Sequence, residues 1–488
     1  MAPASTSERY RILLAILVVV TLPITTCLLW FNYAAVVLVE QRKRLTASKL
    51  RQPENRTILI TGTDNAFGLN LARAFHKAGY KVIGADSRAG SPSSIAKRSR
   101  AVSKHYDLPR RFAGDEAPYV ARSLFVIARR EAPCLWIDCS NDLSQEIVAD
   151  ARSEIESGMS CKCLVLDSTI SDRLSKRDTL LELLSTNGLP SPEFHKVKSR
   201  AQIHKILNHA PGQKKYLLGS PERDGSPTPR TLLPQRTLSQ TYNKVSLVKV
   251  AEQSPMVLEE STESLKIYQC LAVVVRGSVD FFVARPKSEL RHEPLLPDSG
   301  LWRAMRTYTN SMARLLDLSS SHLVLHFGLN EQVTQAGVLQ QILLIECNTR
   351  VDPTFVLSIA RKDFDDLSRV YRTLLESHTN GNIKSSSGDF AKSAITFTAD
   401  QSRISRQQYL LPDELITQLI RPCIEFIYHP TRPRHVLSSL YIFMYRLLLW
   451  DEAYYDFWDP LPAFWHYSLA FLWKTFLRIL KSGVAKAA

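Results

Sequence analysis

At 488 residues and 45% apolar content, the chain is too long for one core and too apolar for a disordered polymer, so two or three domains are expected. Its net charge of +15 is concentrated: eleven Lys or Arg residues lie between Lys196 and Lys249 against two acids, Glu222 and Asp224. Such a stretch is either a solvated basic face or a partner for anions, and with only Tyr216 and Tyr242 as interleaved aromatics it is no nucleic-acid surface. The eight cysteines contain no CxxC pair and one alternating Cys161-Lys162-Cys163, which excludes a zinc module and a disulfide framework and fits a reducing compartment.

The first predicted element is a membrane anchor. Residues 12–39 carry no charge, and about 20 apolar residues suffice to span a bilayer. Pro23 allows either a single pass or a re-entrant hairpin. Arg42, Lys43, Arg44, Lys49 and Arg51 outweigh Arg9 and Arg11 on the other flank, so the body is expected on the cytosolic side.

A buried strand Thr57–Gly62, a helix with Phe67, Leu71, Ala74, Phe75 and Ala78 at helical spacing, and a strand ending on Asp86 form a βαβ opening of Rossmann type. Alternating helices and strands continue to about residue 168. The Thr61-Gly62 turn resembles that of short-chain reductases, with Asp86 where an acid would hold a ribose. It has too few glycines, however, and no Tyr and Lys stand four apart to serve proton transfer, so a reductase is excluded.

A helix over 177–186 stops at Asn187-Gly188-Leu189-Pro190. Residues 220–236, with Pro221, Pro227, Pro229 and Pro234, read as a loop. Strands follow at 256–260, 271–277 and 278–284, the last two joined by a tight turn at Gly277. A helix near 302–317 leads to a strand around His326 and another at 343–350. Polar residues 377–393 read as a flexible insert. The tail holds Trp450, Trp458, Trp465 and Trp473 among basic and aromatic residues, which suits a membrane interface as well as helices packed on the body.

The strand at 343–350 carries the most chemistry. By strand alternation Glu346, Asn348 and Arg350 share one face, and Ile345, Cys347 and Thr349 the other. A carboxylate and an amide oxygen two residues apart offer the donors Mg²⁺ requires, and Arg350 suits a phosphate or carboxylate. The same alternation also describes a strand showing its polar side to water.

In order, ILITGTDNAFGLNLARAFHKAGYKVIGADS, GLPSP at 188–192, YLLGSPERDGS, VLEES, VVVRGSVDFFVA and IECNTR resemble the ATP-grasp superfamily over residues 57–360, in particular the membrane-associated ATP-grasp proteins of fungal secondary-metabolite clusters. The resemblance implies an α/β fold of α+β ATP-grasp type: a membrane anchor and basic stem over 1–51, a Rossmann-like domain over 52–168, a small subdomain over 169–255, a large one over 256–410, and an aromatic helical tail over 411–488. It implies a carboxylate-amine ligase using ATP and Mg²⁺ on small-molecule substrates, at a membrane and beside other pathway enzymes. Glu346, Asn348 and His326 would be the metal positions, Arg350 a catalytic and phosphate contact, and Lys215, Glu259 and Glu260 further nucleotide contacts. Gly219 and Thr179 stand where the family places phosphate-binding lysines, His326 where it places a carboxylate, and Thr349 where it places a proline. These departures imply an alternative, a catalytically weakened binding or scaffold protein.

Overall fold

The computed structural model describes residues 56–87, 94–109, 117–209, 214–219, 230–248, 255–287, 299–334, 337–376, 407–428 and 433–470, with a few isolated residues besides. The expected membrane anchor is corrected: no helix among the described residues is long and apolar enough to cross a membrane. Of residues 12–39, only Thr26, Cys27, Trp30, Phe31 and Ala34 are among those described. The polar insert at 377–393 also lies outside them.

The described residues form two compact units, one from those up to Leu164 together with those from Asp352 onward, the other from Val165–Val351.

In the first unit, β1 (Thr57–Thr61), α1 (Ala66–Lys77), β2 (Lys81–Ser87), β3 (Val102–Leu108), α2 (Ala117–Glu131), β4 (Leu135–Asp138), α3 (Gln145–Gly158) and β5 (Lys162–Leu164) build a parallel sheet of order β3-β2-β1-β4-β5. The central strands are apolar on both sides because both are covered: Ile58, Leu59, Ile60, Leu135, Trp136 and Ile137 are all buried. At the sheet edge Glu131 accepts from Lys104 Nζ (2.8 Å), Tyr106 Oη (2.6 Å) and Lys81 Nζ (3.1 Å). These hydrogen bonds, that of Lys104 foremost, bring its carboxyl down to about 2. A carboxylate held below its ordinary pKa near 4.5 adds stability above that pH and loses it as pH falls toward 2. Acid unfolding should therefore differ between wild type and Glu131→Gln, with a gap on the order of 1–2 kcal/mol at neutral pH that narrows below pH ~4.5 and closes as pH falls through ~2, given the screening of its exposed lysine partners. Melting curves from pH 7 to 2 check this, and a gap independent of pH would refute it.

The tail returns to this unit. Strand β14 (Gln408–Tyr409) pairs in parallel with β15 (Asp451–Glu452), which follows the helix α11 (Pro433–Leu449). Helix α9 (Asp363–Glu376) packs on α1, with Phe364 edge-on to Phe67 at 5.3 Å. Residues 453–459 then lie along α1. Asn70 Nδ2 donates to the Ala453 carbonyl (2.8 Å), and Arg73 donates through Nη2 to the Tyr454 carbonyl (2.7 Å) and through Nε to Asp459 Oδ2 (3.0 Å). Asp459, fully buried, also accepts from Ser99 Oγ (2.6 Å) and the Arg100 amide (2.9 Å). Glu452 takes the amides of Tyr454 (2.9 Å) and Tyr455 (2.5 Å) and the Tyr467 hydroxyl. Ala453, Tyr454, Asp456 and Asp459 of the tail are buried, whereas Tyr455 and Phe457 are exposed and α11 leaves Leu437, Tyr441 and Leu448 exposed.

The second unit holds two antiparallel sheets. The smaller has order β6-β9-β7-β8, from β6 (Phe194–Val197), β7 (Tyr216–Gly219), β8 (Thr231–Leu233) and β9 (Met256–Glu260). One face carries Val197, Tyr216, Leu218, Leu233 and Leu258 into a core with Ile203 and Val245. β8 corrects the expectation of a plain loop over 220–236: three residues between the prolines pair with β7 as an edge strand, a place where neighbouring prolines are tolerated. The larger sheet has order β11-β10-β12-β13, from β10 (Lys266–Val275), β11 (Ser278–Pro286), β12 (Ser320–Thr334) and β13 (Gly337–Asn348). The turn joining β10 to β11 places Arg276 and Gly277 at positive φ (51° and 75°), as its tightness requires. Helix α8 (Gly300–Leu315), begun by the Ser299 cap, lays Trp302, Met305, Tyr308 and Met312 on one face of this sheet against Leu325, Phe327, Leu344 and Cys347.

Candidate functional site

A polar row crosses the opposite face of the larger sheet. The register aligns Arg285 with Gln269, Gln269 with His326, and His326 with Glu346, one residue from each strand. A β-bulge between His326 and Phe327 makes this possible. Leu344 and Cys347 both pack in the α8 core, three residues apart, so the strand must shift phase between them. The bulge leaves Ile345 as the extra residue and turns Glu346 to the other face. Without it Glu346 would lie with Leu344 in the core.

Within the row, Arg285 donates through Nη2 (2.8 Å) and Nε (3.3 Å) to Gln269 Oε1. His326 Nδ1 lies 3.0 Å from Glu346 Oε2, and Asn348 Nδ2 donates to Glu346 Oε1 at 3.1 Å. Arg285, Gln269 and His326 are buried, and Glu346 and Asn348 are half-buried at the rim. Arg350 follows two residues beyond β13, half-buried. The structure thus brings Glu346, Asn348 and His326 together. Gln269 and Arg285 join them from positions just outside the strands expected at 271–277 and 278–284, to which sequence reading gave no role. The donor set fits a hard divalent cation at Glu346 and Asn348, both oxygen ligands. His326 fits it less well: one nitrogen is engaged with Glu346, and Nε2 is buried with no hydrogen-bond partner among the described residues.

The remaining positions lie on the smaller sheet. β9 is hydrogen-bonded on both sides, and beyond its end the Ser261 amide donates to the Lys215 carbonyl (2.7 Å). Glu259 is buried under a two-pronged ion pair with Arg177, whose Nε donates to Oε2 at 2.9 Å. Arg177 opens α5 (Arg177–Thr186), the helix expected over those residues. Glu260 is half-buried, 3.6 Å from Lys214. Lys215 is exposed at the start of β7. Thr179 Oγ1 donates to the carbonyls of Arg173 (2.8 Å) and Lys176 (3.0 Å), a local bond within the helix start. Lys196 is held by Asp178 (3.3 Å) and Glu182 (2.5 Å).

In the first unit the glycine turn after β1 is closed. A Cβ on Gly62 (φ 83°) would fall 2.3 Å from the Cys139 carbonyl, and Asn65 Nδ2 donates to that carbonyl at 2.7 Å. Asp86 is buried and accepts from Thr63 and from the Asp64 amide (3.4 Å), with His105 Nε2 at 2.7 Å. Burial, then the charge of Asp86, raises the Asp64 carboxyl. Both the turn and the acid that a dinucleotide would use are occupied by the protein itself.

No protein-family model matches the chain, and no curated protein matches it. Among solved structures it is similar to N5-carboxyaminoimidazole synthetase from Staphylococcus aureus, with 14% identity over 66% of this chain and 80% of that one, and a TM-score of 0.44. It is also similar to biotin carboxylase from Campylobacter jejuni in complex with β-γ-ATP, with 15% identity over 65% and 71% and a TM-score of 0.46. A third is phosphoribosylglycinamide synthetase from Anaerococcus prevotii, with 13% identity over 61% and 69% and a TM-score of 0.44. At such identities and TM-scores, function has to be argued from the residues.

Proposed function

We propose that the second unit is an ATP-grasp-type nucleotide site and that the chain is an ATP-dependent ligase joining a small-molecule carboxylate to an amine, in secondary metabolism. The observation that carries this reading is the cluster of Glu346, Asn348 and His326 on one sheet face, with Arg350 just beyond. Mg²⁺ held by Glu346 and Asn348 would neutralise the ATP phosphates. A substrate carboxylate oxygen then attacks the γ-phosphorus and ADP leaves; the amine displaces phosphate from the resulting acyl phosphate. Positioning and charge neutralisation carry such chemistry, which matches a site built of a carboxylate, an amide and an arginine.

A second reading is a nucleotide-binding protein without turnover. It is favoured by the nitrogen ligand at His326, opposite Glu346, and by the commitment of Glu259 to Arg177.

The test is a melting titration of the full-length chain with ATP, with and without Mg²⁺. The whole chain is needed because residues 453–459 belong to the first unit. A ligand bound to the native state alone stabilises by roughly 2.7 kcal/mol at a hundredfold excess over Kd. A Mg²⁺-dependent rise in Tm is expected, and its absence in folded protein would overturn both readings. ATP hydrolysis on addition of carboxylate and amine pools separates the ligase from the silent binder.

A further inference from the structure

The smaller sheet has one face in its core and one turned away from it, the latter covered at Val257 and Glu259 and open at Arg230, and strand parity assigns residues to each. Tyr216 and Leu218 enter the core, so Leu217 and Gly219 lie on the other side. Across β9, Leu217 pairs with Glu259 and Gly219 with Val257. Across β8, Leu217 pairs with Leu232 and Leu218 with Thr231, so the register continues to Arg230 opposite Gly219. Arg230 therefore emerges on the open face. Its side chain lies across Gly219: a Cβ added there would meet Arg230 Cγ at 3.3 Å, Nε at 3.8 Å and Cδ at 3.9 Å. The missing side chain at 219 is the seat in which Arg230 rests.

Charge accounting separates Arg230, together with the exposed Lys215 at the start of β7, from the other cations around this sheet. Arg177 is tied to Glu259, Lys196 to Asp178 and Glu182, and Lys214 to Glu193 (2.9 Å) and Glu260. Each of these cations is already met by a carboxylate. Arg230 has no hydrogen-bond or ion-pair partner among the described residues, and it is exposed. A guanidinium laid along a sheet face with its donors unspent is suited to forked bonding with phosphate oxygens.

We propose that Arg230, seated over Gly219, is a phosphate-binding cation of the smaller sheet, in direct contact with the nucleotide's phosphates. This rests on the nucleotide reading above. It gives Gly219 a role: a side chain there would displace the arginine.

The test measures Kd for ADP and for adenosine, with Mg²⁺, on the full-length chain. Arg230→Ala should weaken ADP at least tenfold and leave adenosine and the Tm unchanged, and Arg230→Lys should recover part of the loss. Gly219→Val should weaken ADP in the same direction although Arg230 is still present. Gly219→Lys placed in the Arg230→Ala background should restore ADP binding, because the ammonium then rises from the seat itself. If Arg230→Ala binds ADP as wild type does, or loses ADP and adenosine equally, the proposal fails while the nucleotide reading stands. If the wild-type chain binds neither, both fall together.

Discussion

Replacing Glu346 with alanine should lower turnover by at least ~10³-fold, about 4 kcal/mol of transition-state stabilisation, while leaving the Tm within a few degrees of wild type. The carboxylate is half-buried at the rim of the sheet and packs no core, so its loss removes charge and hydrogen bonds but no cavity-filling volume. It is also the group on which His326 and Asn348 converge, so both lose their orientation with it. Glu346→Gln keeps the shape and removes the charge. If the metal role is right, the glutamine variant should be nearly as inactive and should also lose the Mg²⁺-dependent rise in Tm with ATP. Turnover by Glu346→Ala at the wild-type rate would refute the assignment.

The largest stability effect is expected at Asp459. Its side chain meets Arg73, Ser99 and the Arg100 amide, while its carbonyl accepts from Arg73 Nη2 at 3.0 Å. Arg73 and Asp459 are 2% and 0% exposed. Burying a charge is tolerable only when it is paired, and removing one partner leaves the other stranded. Asp459→Ala should thus cost on the order of 3–5 kcal/mol. The paired substitution Arg73→Met with Asp459→Leu should cost less than the single one, because no orphan charge remains. Urea unfolding of the three chains decides this. A double variant that costs as much as Asp459→Ala or more would mean that the pair is incidental to the fold.

These two residues show what the sequence makes legible. Glu346 and Asn348 could be found because strand alternation is local, and a carboxylate and an amide two apart declare a shared face. Gln269 and Arg285 could not, because their membership in the row depends on register across three strands, which no single segment encodes. The bulge at Ile345 was equally hidden. The alternation of Glu346, Asn348 and Arg350 reads the same whether that face is the core or the site. Helix α5 and the turn at Gly277 were legible from their own stop and turn residues. The tail was not: aromatic and basic residues have the same composition at a membrane interface and in a packed segment. What ties residues 453–459 to α1 includes a contact between Arg73 and Asp459, 386 residues apart. Gly219 was misleading in its own way, since sequence shows an absent side chain and only the structure shows Arg230 lying over it.

The position of Asp459 sets a schedule for biosynthesis. The described residues of the second unit are encoded as one stretch, Val165–Val351, so a ribosome delivers them together. The first is delivered in two instalments: Ser99 is translated 360 residues before the aspartate it binds. At roughly 5–20 residues per second, Arg73 spends some tens of seconds without its counter-charge and α1 without its cover. The nascent protein passes through an interval in which the inserted unit can already be folded while the unit translated first still has its interior open, and that interval is when chaperones would be needed.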